Sequence, residues 1–349
     1  MSENNNRLQE LGEFGLIDHI TQNFKSVQAS TVKGVGDDAA VIAAAGKEEV
    51  TLLTTDLLIE GIHFDLMYVP LRHLGYKAVM VNLSDIYAMN GTPRQIVVSI
   101  AISNRFSLEA VEELYAGIRL ACSRYDVDLV GGDTSSSHTG LYLNITAIGT
   151  APEKDVVYRN GAQENDLIFV SGDLGSAYIG LLLLEREKKV FEANPDMQPD
   201  FESVDYLLER QLKPEARRDV IELLKEIGVK PTSMIDISDG LASELHHICK
   251  QSGMGCTIYE DKLPIDPLTY EQSVAFSIDP TTAAMNGGED YELLFTISQK
   301  DYDKIKDRLE VTPIGHITDA ASGLQLISTK GIVYPISAQG WNHFDVKNT

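Results

Sequence analysis

Aspartate in this chain falls at the ends of apolar runs, beside Gly, Ser or Thr, rather than along solvated helix faces. The positions are Asp37 and Asp38 in GVGDDAAV, Asp56 in LLTTD, Asp85 in VNLSD, Asp133 in LVGGDTS, and Asp236 and Asp239 in MIDISDG. Apolar residues flank each one, so each carboxylate is expected at the edge of a core. A carboxylate there is costly unless a cation or hydrogen bonds compensate it. A fold that gathers several must also offset their mutual repulsion, and divalent cations do this simply. Donors that are all oxygen select a hard ion, with Mg2+ the natural choice.

Each fragment has a plainer reading when taken alone. GVGDD is also a turn sequence. Ser238-Asp239-Gly240 also reads as a helix start. Asp85 could sit on a solvated helix face, and His63 could be structural. Seven aspartates at such junctions in one chain are harder to assign to turns, because they agree with one another.

The remaining pattern is mixed α and β. Residues 50–55 read as a strand ending at Asp56. Residues 72–90 read as a helix with Leu74, Ala78, Val81 and Ile86 on its apolar side, stopping near Asn90-Gly91. Strands are predicted at 95–102, 127–131, 141–150, 166–171, 233–237, 255–259, 291–297 and 312–317. Helices are predicted at 107–124, 174–188, 215–227, from Leu241, and at 301–309. The polar stretch 150–164 reads as a boundary, giving domains 1–150 and 151–349 with a cleft between them. Residues 189–205, rich in acids and containing Pro195 and Pro199, read as a surface excursion.

Charge narrows the partners. The 349 residues carry 52 Asp and Glu against 29 Lys and Arg, a formal net charge of -23. Nucleic acid and anionic lipid both need a basic footprint, so neither is an expected partner. No apolar run is long enough to span a bilayer. The start, MSENNNRLQE, lacks the apolar core of a signal peptide. Cys122, Cys249 and Cys256 have no CxxC spacing, so a reducing, cytoplasmic setting is expected.

Acidic residues hold phosphates only through a metal, so the aspartates point to a nucleotide-phosphate site. The usual loops are absent. There is no GxxxxGK[ST] and no HRD with DFG, and Gly34 and Gly36 run into Asp37-Asp38-Ala39 rather than completing GxGxxG.

The same stretches resemble the thiamine-monophosphate kinase family, within the aminoimidazole-ribonucleotide-synthetase-like superfamily. The resemblance covers GEFGLID (12–18), GVGDDAAV, TTDLLIEGIHF, YKAVMVNLSDIYAMNGTP, LVGGDTS, YRNGA, IDISDGL, GGEDYELLF and GWNHF (340–344). Asn90 stands where the family often has Gly. The resemblance implies an α/β fold of the α+β type with mixed sheets, an N-terminal domain that dimerises and a C-terminal α/β domain. It implies ATP-dependent phosphorylation of thiamine monophosphate to thiamine diphosphate with several Mg2+ ions.

By motif match, Asp38, Thr54, Thr55, Asp56, Asp85, Asp133, Asp236 and Asp239 resemble metal ligands, with Asp37 a weaker match. Of these, Asp56, Asp85, Asp133 and Asp239 carry the catalytic role. Tyr115, Gly132, Asp133, Arg159 and Ser238 resemble the ATP contacts. His63, Glu289 and Trp341 resemble the thiamine phosphate contacts, with Glu289 facing either the aminopyrimidine edge or the thiazolium cation. Taken singly, Arg159 could be a surface ion pair and Trp341 a staple for the C-terminus. Two alternatives stay open: a sister enzyme that activates an amide oxygen, and a cation- or nucleotide-binding protein without turnover.

Overall fold

The computed structural model describes residues 28–44 and 48–338, and the single positions Gly15, Ile17 and Thr21. GWNHF with Trp341, and most of GEFGLID, lie outside the described residues. Within them the chain is mixed α/β, built on two sheets.

The first sheet has the order β1-β2-β3-β6-β4-β5. Its strands are β1 (Thr31–Lys33), β2 (Ala40–Ala43), β3 (Glu49–Ile59), β4 (Thr92–Ile102), β5 (Asp128–Ser136) and β6 (Tyr142–Pro152). Only β4 and β5 pair in parallel. Helices α1 (Leu71–Ala88) and α2 (Leu108–Tyr125) pack together, with α1 against the sheet. Strand β3 does not stop at Asp56. Leu57, Leu58 and Ile59 keep the alternation going, with Leu58 buried and Leu57 exposed.

The second sheet has the order β13-β12-β9-β11-β7-β10-β8. Its strands are β7 (Leu167–Ser171), β8 (Ser233–Asp236), β9 (Gly255–Tyr259), β10 (Leu293–Ile297), β11 (Val311–Thr318), β12 (Leu324–Ile327) and β13 (Val333–Pro335). Helices α3 (Ser176–Ala193), α4 (Asp205–Leu212), α5 (Arg218–Glu226), α6 (Leu241–Ser252), α7 (Pro267–Ala275), α8 (Pro280–Asn286) and α9 (Tyr302–Ile305) complete it.

One apolar core runs through both halves. It joins Leu52, Leu83 and Ile145 of the first half to Phe169, Met234 and Phe295 of the second. The Phe169 and Phe295 rings stack at 5.7 Å. Val156 and Val157, in the stretch read as a polar boundary, are buried in this core. The two halves therefore meet over packed side chains rather than a loose linker.

This explains a departure from the expected pattern of α1. The sequence predicts one apolar side for α1, yet it is buried almost all round, because the first sheet covers it on one side and β8 approaches on another. Three polar residues, Lys77, Asn82 and Ser84, are buried with it. Each has a partner, and those partners build the site.

Candidate active site

Strand alternation and helix spacing bring the carboxylates together. On β3, Thr54 and Asp56 share the face toward α1. Thr54 Oγ1 donates to Asp85 Oδ2 at 2.5 Å. The Asp56 N–H donates to Asn82 Oδ1 at 3.1 Å. Thr55 faces the other way, where its hydroxyl lies 2.9 Å from Thr146 Oγ1 and accepts from Asn144 Nδ2. The Thr55 hydroxyl is therefore not at the cluster, contrary to the simplest form of its expected ligand role.

From the other half, Asp236 ends β8 and accepts from Ser84 Oγ at 2.6 Å. Oxygen atoms of Asp38, Asp85 and Asp236 all lie within 4.8 Å of one another. These three come from the loop before β2, from α1 and from β8. Burial pushes the Asp85 carboxyl well above its ordinary value, and Asp56, Asp236 and Asp38 push it further. Asp236 is raised by burial and then by Asp38.

Arg159 forks onto Asp38, with Nε to Oδ2 at 3.1 Å and Nη2 to Oδ1 at 2.9 Å. Its guanidinium thus offsets one buried carboxylate of the cluster. Burial and Asp38 raise the neighbouring Asp37 to about 6, although Arg159 and Lys33 oppose this.

The DISDG turn is held from inside by Glu244 of α6, a residue not singled out in the sequence. Glu244 Oε1 accepts from the N–H groups of Ser238 (3.2 Å) and Asp239 (2.9 Å). Those two amides are already bound to a carboxylate, so any anion must use other donors of this turn. Glu244 Oε2 is buried without a hydrogen-bond partner. Gly240 takes φ 111, and a Cβ there would lie 3.0 Å from the Asn286 backbone.

The GGEDYE segment lies against the same turn. Glu289 N–H donates to Ser238 O at 2.7 Å, and Tyr291 N–H to Ile237 O at 2.9 Å. Arg210 of α4 grips Glu292 at 2.9 Å, and Arg217 grips its other oxygen. Burial raises the Tyr291 phenol, and Glu289, Asp56, Asp236 and Asp239 add to the shift, so it stays protonated amid these acids.

His63 follows β3 in a turn. Its Nδ1 accepts the Ile59 N–H at 3.0 Å, which puts the ring proton on Nε2. Gly132 and Asp133 sit within β5, the exposed sheet edge, not at a strand end beside the cluster. Gly132 has a backbone reason as well, since a Cβ there would come within 2.0 Å of Val98 O. Tyr115 packs at the margin of the first core from α2. The three-carboxylate group contains neither Asp133 nor Tyr115.

The donor set fits a hard divalent cation. Its oxygens converge, the buried Glu244 Oε2 has no hydrogen-bond partner, and no sulfur or imidazole belongs to the three-carboxylate group.

Two family models match: AIR synthase related protein, N-terminal domain, over residues 36–151, and its C-terminal domain over 163–326. The thiamine-monophosphate kinase of Aquifex aeolicus is 35% identical, covering 97% of this chain and 100% of that protein. That of Bacillus subtilis is 34% identical, covering 96% and 100%. The chain belongs to the thiamine-monophosphate kinase family.

A solved structure described as AaThiL complexed with AMPPCP and TMP superposes with a TM-score of 0.83 at 33% identity, covering 97% of this chain and 98% of that one. The hydrogenase maturation protein HypE in complex with ATP shares the fold at a TM-score of 0.68 and 17% identity, covering 96% and 98%. Members of the thiamine-monophosphate kinase family are phosphotransferases, and this chain is an enzyme of that class. Asn82, Ser84, Glu244 and Tyr291 are the site residues that motif reading passed over. Asn82 and Ser84 had a visible signal, being polar interruptions of the apolar run VMVNLSDIYAM.

Proposed function

We propose that the chain transfers the γ-phosphoryl group of ATP directly to the phosphate of thiamine monophosphate, giving thiamine diphosphate and ADP. The observation that carries this reading is the convergence of Asp38, Asp85 and Asp236 from both halves of a chain of this family. Asp38, Asp56, Asp85 and Asp236, with Asp239 beside them, would hold Mg2+. Bound there, Mg2+ would supply the positive charge that offsets repulsion between two polyanions.

The chain's own groups do the rest. The acceptor phosphate is already largely anionic near neutral pH, so in-line attack needs no strong base. His63 therefore serves as a donor, presenting Nε2–H to a phosphate oxygen. Arg159, whose Nε and Nη2 are held by Asp38, offers its remaining N–H donors and permanent charge to phosphate oxygens at the edge of the carboxylates. Ser238 offers its hydroxyl to the nucleotide, and Glu289 and Trp341 meet the thiamine rings.

A homodimer forms through the β5 edge. All nine residues of that strand are exposed, including Leu129 and Val130. Among the described residues no strand pairs with its outer side, and an exposed edge of this kind invites a second strand. Gly132 and Asp133 would then act at that interface with the nucleotide. Among the described residues no helix is long and apolar enough to cross a membrane, and the enzyme works in the cytoplasm.

The test is direct: incubate the chain with Mg-ATP and thiamine monophosphate and measure products. Equimolar thiamine diphosphate and ADP are expected. An amide-activating sister enzyme would leave thiamine monophosphate untouched and consume ATP only with its own amide substrate, and a binding protein would hold ATP and consume neither ligand.

A further inference from the structure

Lys77 lies buried in the middle of α1, only 5% exposed. A buried ammonium must find partners. Its Nζ lies 3.0 Å from Glu289 Oε1 and donates to Gln211 O at 2.9 Å. Gln211 is buried too, and its Nε2 donates to Glu289 Oε2 at 2.6 Å. Both carboxylate oxygens are thus engaged, one by α1 and one by α4.

The backbone of Glu289 is equally constrained. Its φ is 65, a conformation few non-glycine residues adopt, and its N–H is bound to Ser238 O. The side chain still keeps 29% of its surface open. Two consequences follow from this geometry. The Glu289 charge is compensated at contact distance, so it has little left to offer a cation. Each oxygen retains a second lone pair, now aimed by the ring of donors.

We propose that Lys77 and Gln211 are positioning residues that convert Glu289 from a counter-ion into an oriented hydrogen-bond acceptor. The group it accepts from is an N–H donor on the substrate, the exocyclic amine of the aminopyrimidine, and not the thiazolium charge. This rests on the reading of thiamine monophosphate as the acceptor substrate. Lys77 precedes Asp85 by little more than two helical turns, about 12 Å along the axis. One rigid helix therefore fixes the separation between ring recognition and phosphate chemistry.

Lys77→Met keeps the length of the side chain and removes the ammonium. The KM for thiamine monophosphate is expected to rise by about tenfold or more, from loss of an oriented hydrogen bond. Turnover should stay within about threefold, with the KM for ATP unchanged, because only ground-state ring binding is touched. Gln211→Met, which alters no charge, should raise the same KM in the same direction. Preference for thiamine monophosphate over oxythiamine monophosphate, where an oxo group replaces the amine, should shrink in both variants. A counter-ion role predicts the opposite sign, because Lys77→Met would unmask the carboxylate and tighten cation binding. A KM that holds or falls in the variants, with the wild type active, overturns the proposal and leaves the kinase reading intact. Absence of thiamine diphosphate from the wild type overturns both. Should Lys77→Met fail to fold, the Gln211→Met result alone decides.

Discussion

Asp85→Asn is expected to lower turnover by about two to three orders of magnitude, the scale for losing one preorganised electrostatic contact at a transferring group. The same substitution should raise the melting temperature of the metal-free protein. Asp85 sits among Asp38, Asp56 and Asp236, and both burial and these neighbours oppose its ionised form. Asparagine keeps the acceptor for Thr54 Oγ1 and brings an N–H that can bond a neighbouring carboxylate. Stability and activity therefore move in opposite directions, which separates a functional cluster from a structural one. Kinetics with thiamine monophosphate and thermal denaturation in EDTA measure the two effects. Normal turnover in Asp85→Asn would remove the carboxylate from the chemistry.

The second large effect is on stability against pH. Asp37 and Asp290 are raised to about 6 and about 7, and Asp85, Asp236 and Glu244 well above the ordinary carboxyl value, each chiefly by burial. In the unfolded chain these groups lose their protons near pH 4. The folded state therefore binds more protons than the unfolded state above that pH, and the stability these groups contribute is lost as pH rises through their folded values. His247 works the other way, since burial and then Arg159 lower it to about 4, so its contribution grows between about 4 and its ordinary 6.5. Above about 6.5 the histidine no longer matters. Between pH 6.5 and 8 the metal-free protein should lose roughly 1 kcal/mol or more per pH unit. Millimolar Mg2+ should remove the share of that slope due to Asp85 and Asp236, while Asp37, Glu244 and Asp290, outside the three-carboxylate group, keep theirs. Denaturant melts in EDTA and in Mg2+ across this range check it. A flat profile in EDTA would mean that neither burial nor mutual repulsion raises these carboxyl groups in the folded protein.

Much of the site was legible because its chemistry is expensive. Asp38, Asp85 and Asp236 could be read from the sequence as carboxylates at core edges, where only a shared purpose offsets the cost. What stayed hidden depends on packing between distant segments. Lys77 and Ser84 read as helix residues until β8 and α4 close over α1. Thr55 reads like Thr54 until strand alternation turns it to the far face. Glu244 reads as an ordinary acid in a first helical turn, yet its carboxylate holds the turn before it. Among whole elements, α7 and α8 each carried an unused signal. Each starts at an Asp-Pro pair, Asp266-Pro267 and Asp279-Pro280, with the aspartate capping the helix and proline in its first turn. Helix α4 had no such mark, because it follows a Pro-containing acidic stretch and spans only Asp205–Leu212. Yet it supplies Arg210 and Gln211. Strands β12 and β13 are short and half-exposed or exposed, so their apolar pattern is weak.

Crystals grown with Mn2+ and AMPPCP test the central claim most directly, since manganese reports its position by anomalous scattering. Density is expected between the carboxylates of Asp38, Asp85 and Asp236, touching the phosphate chain of the nucleotide. A nucleotide bound with its phosphates away from these three side chains, and no manganese among them, would contradict the assignment.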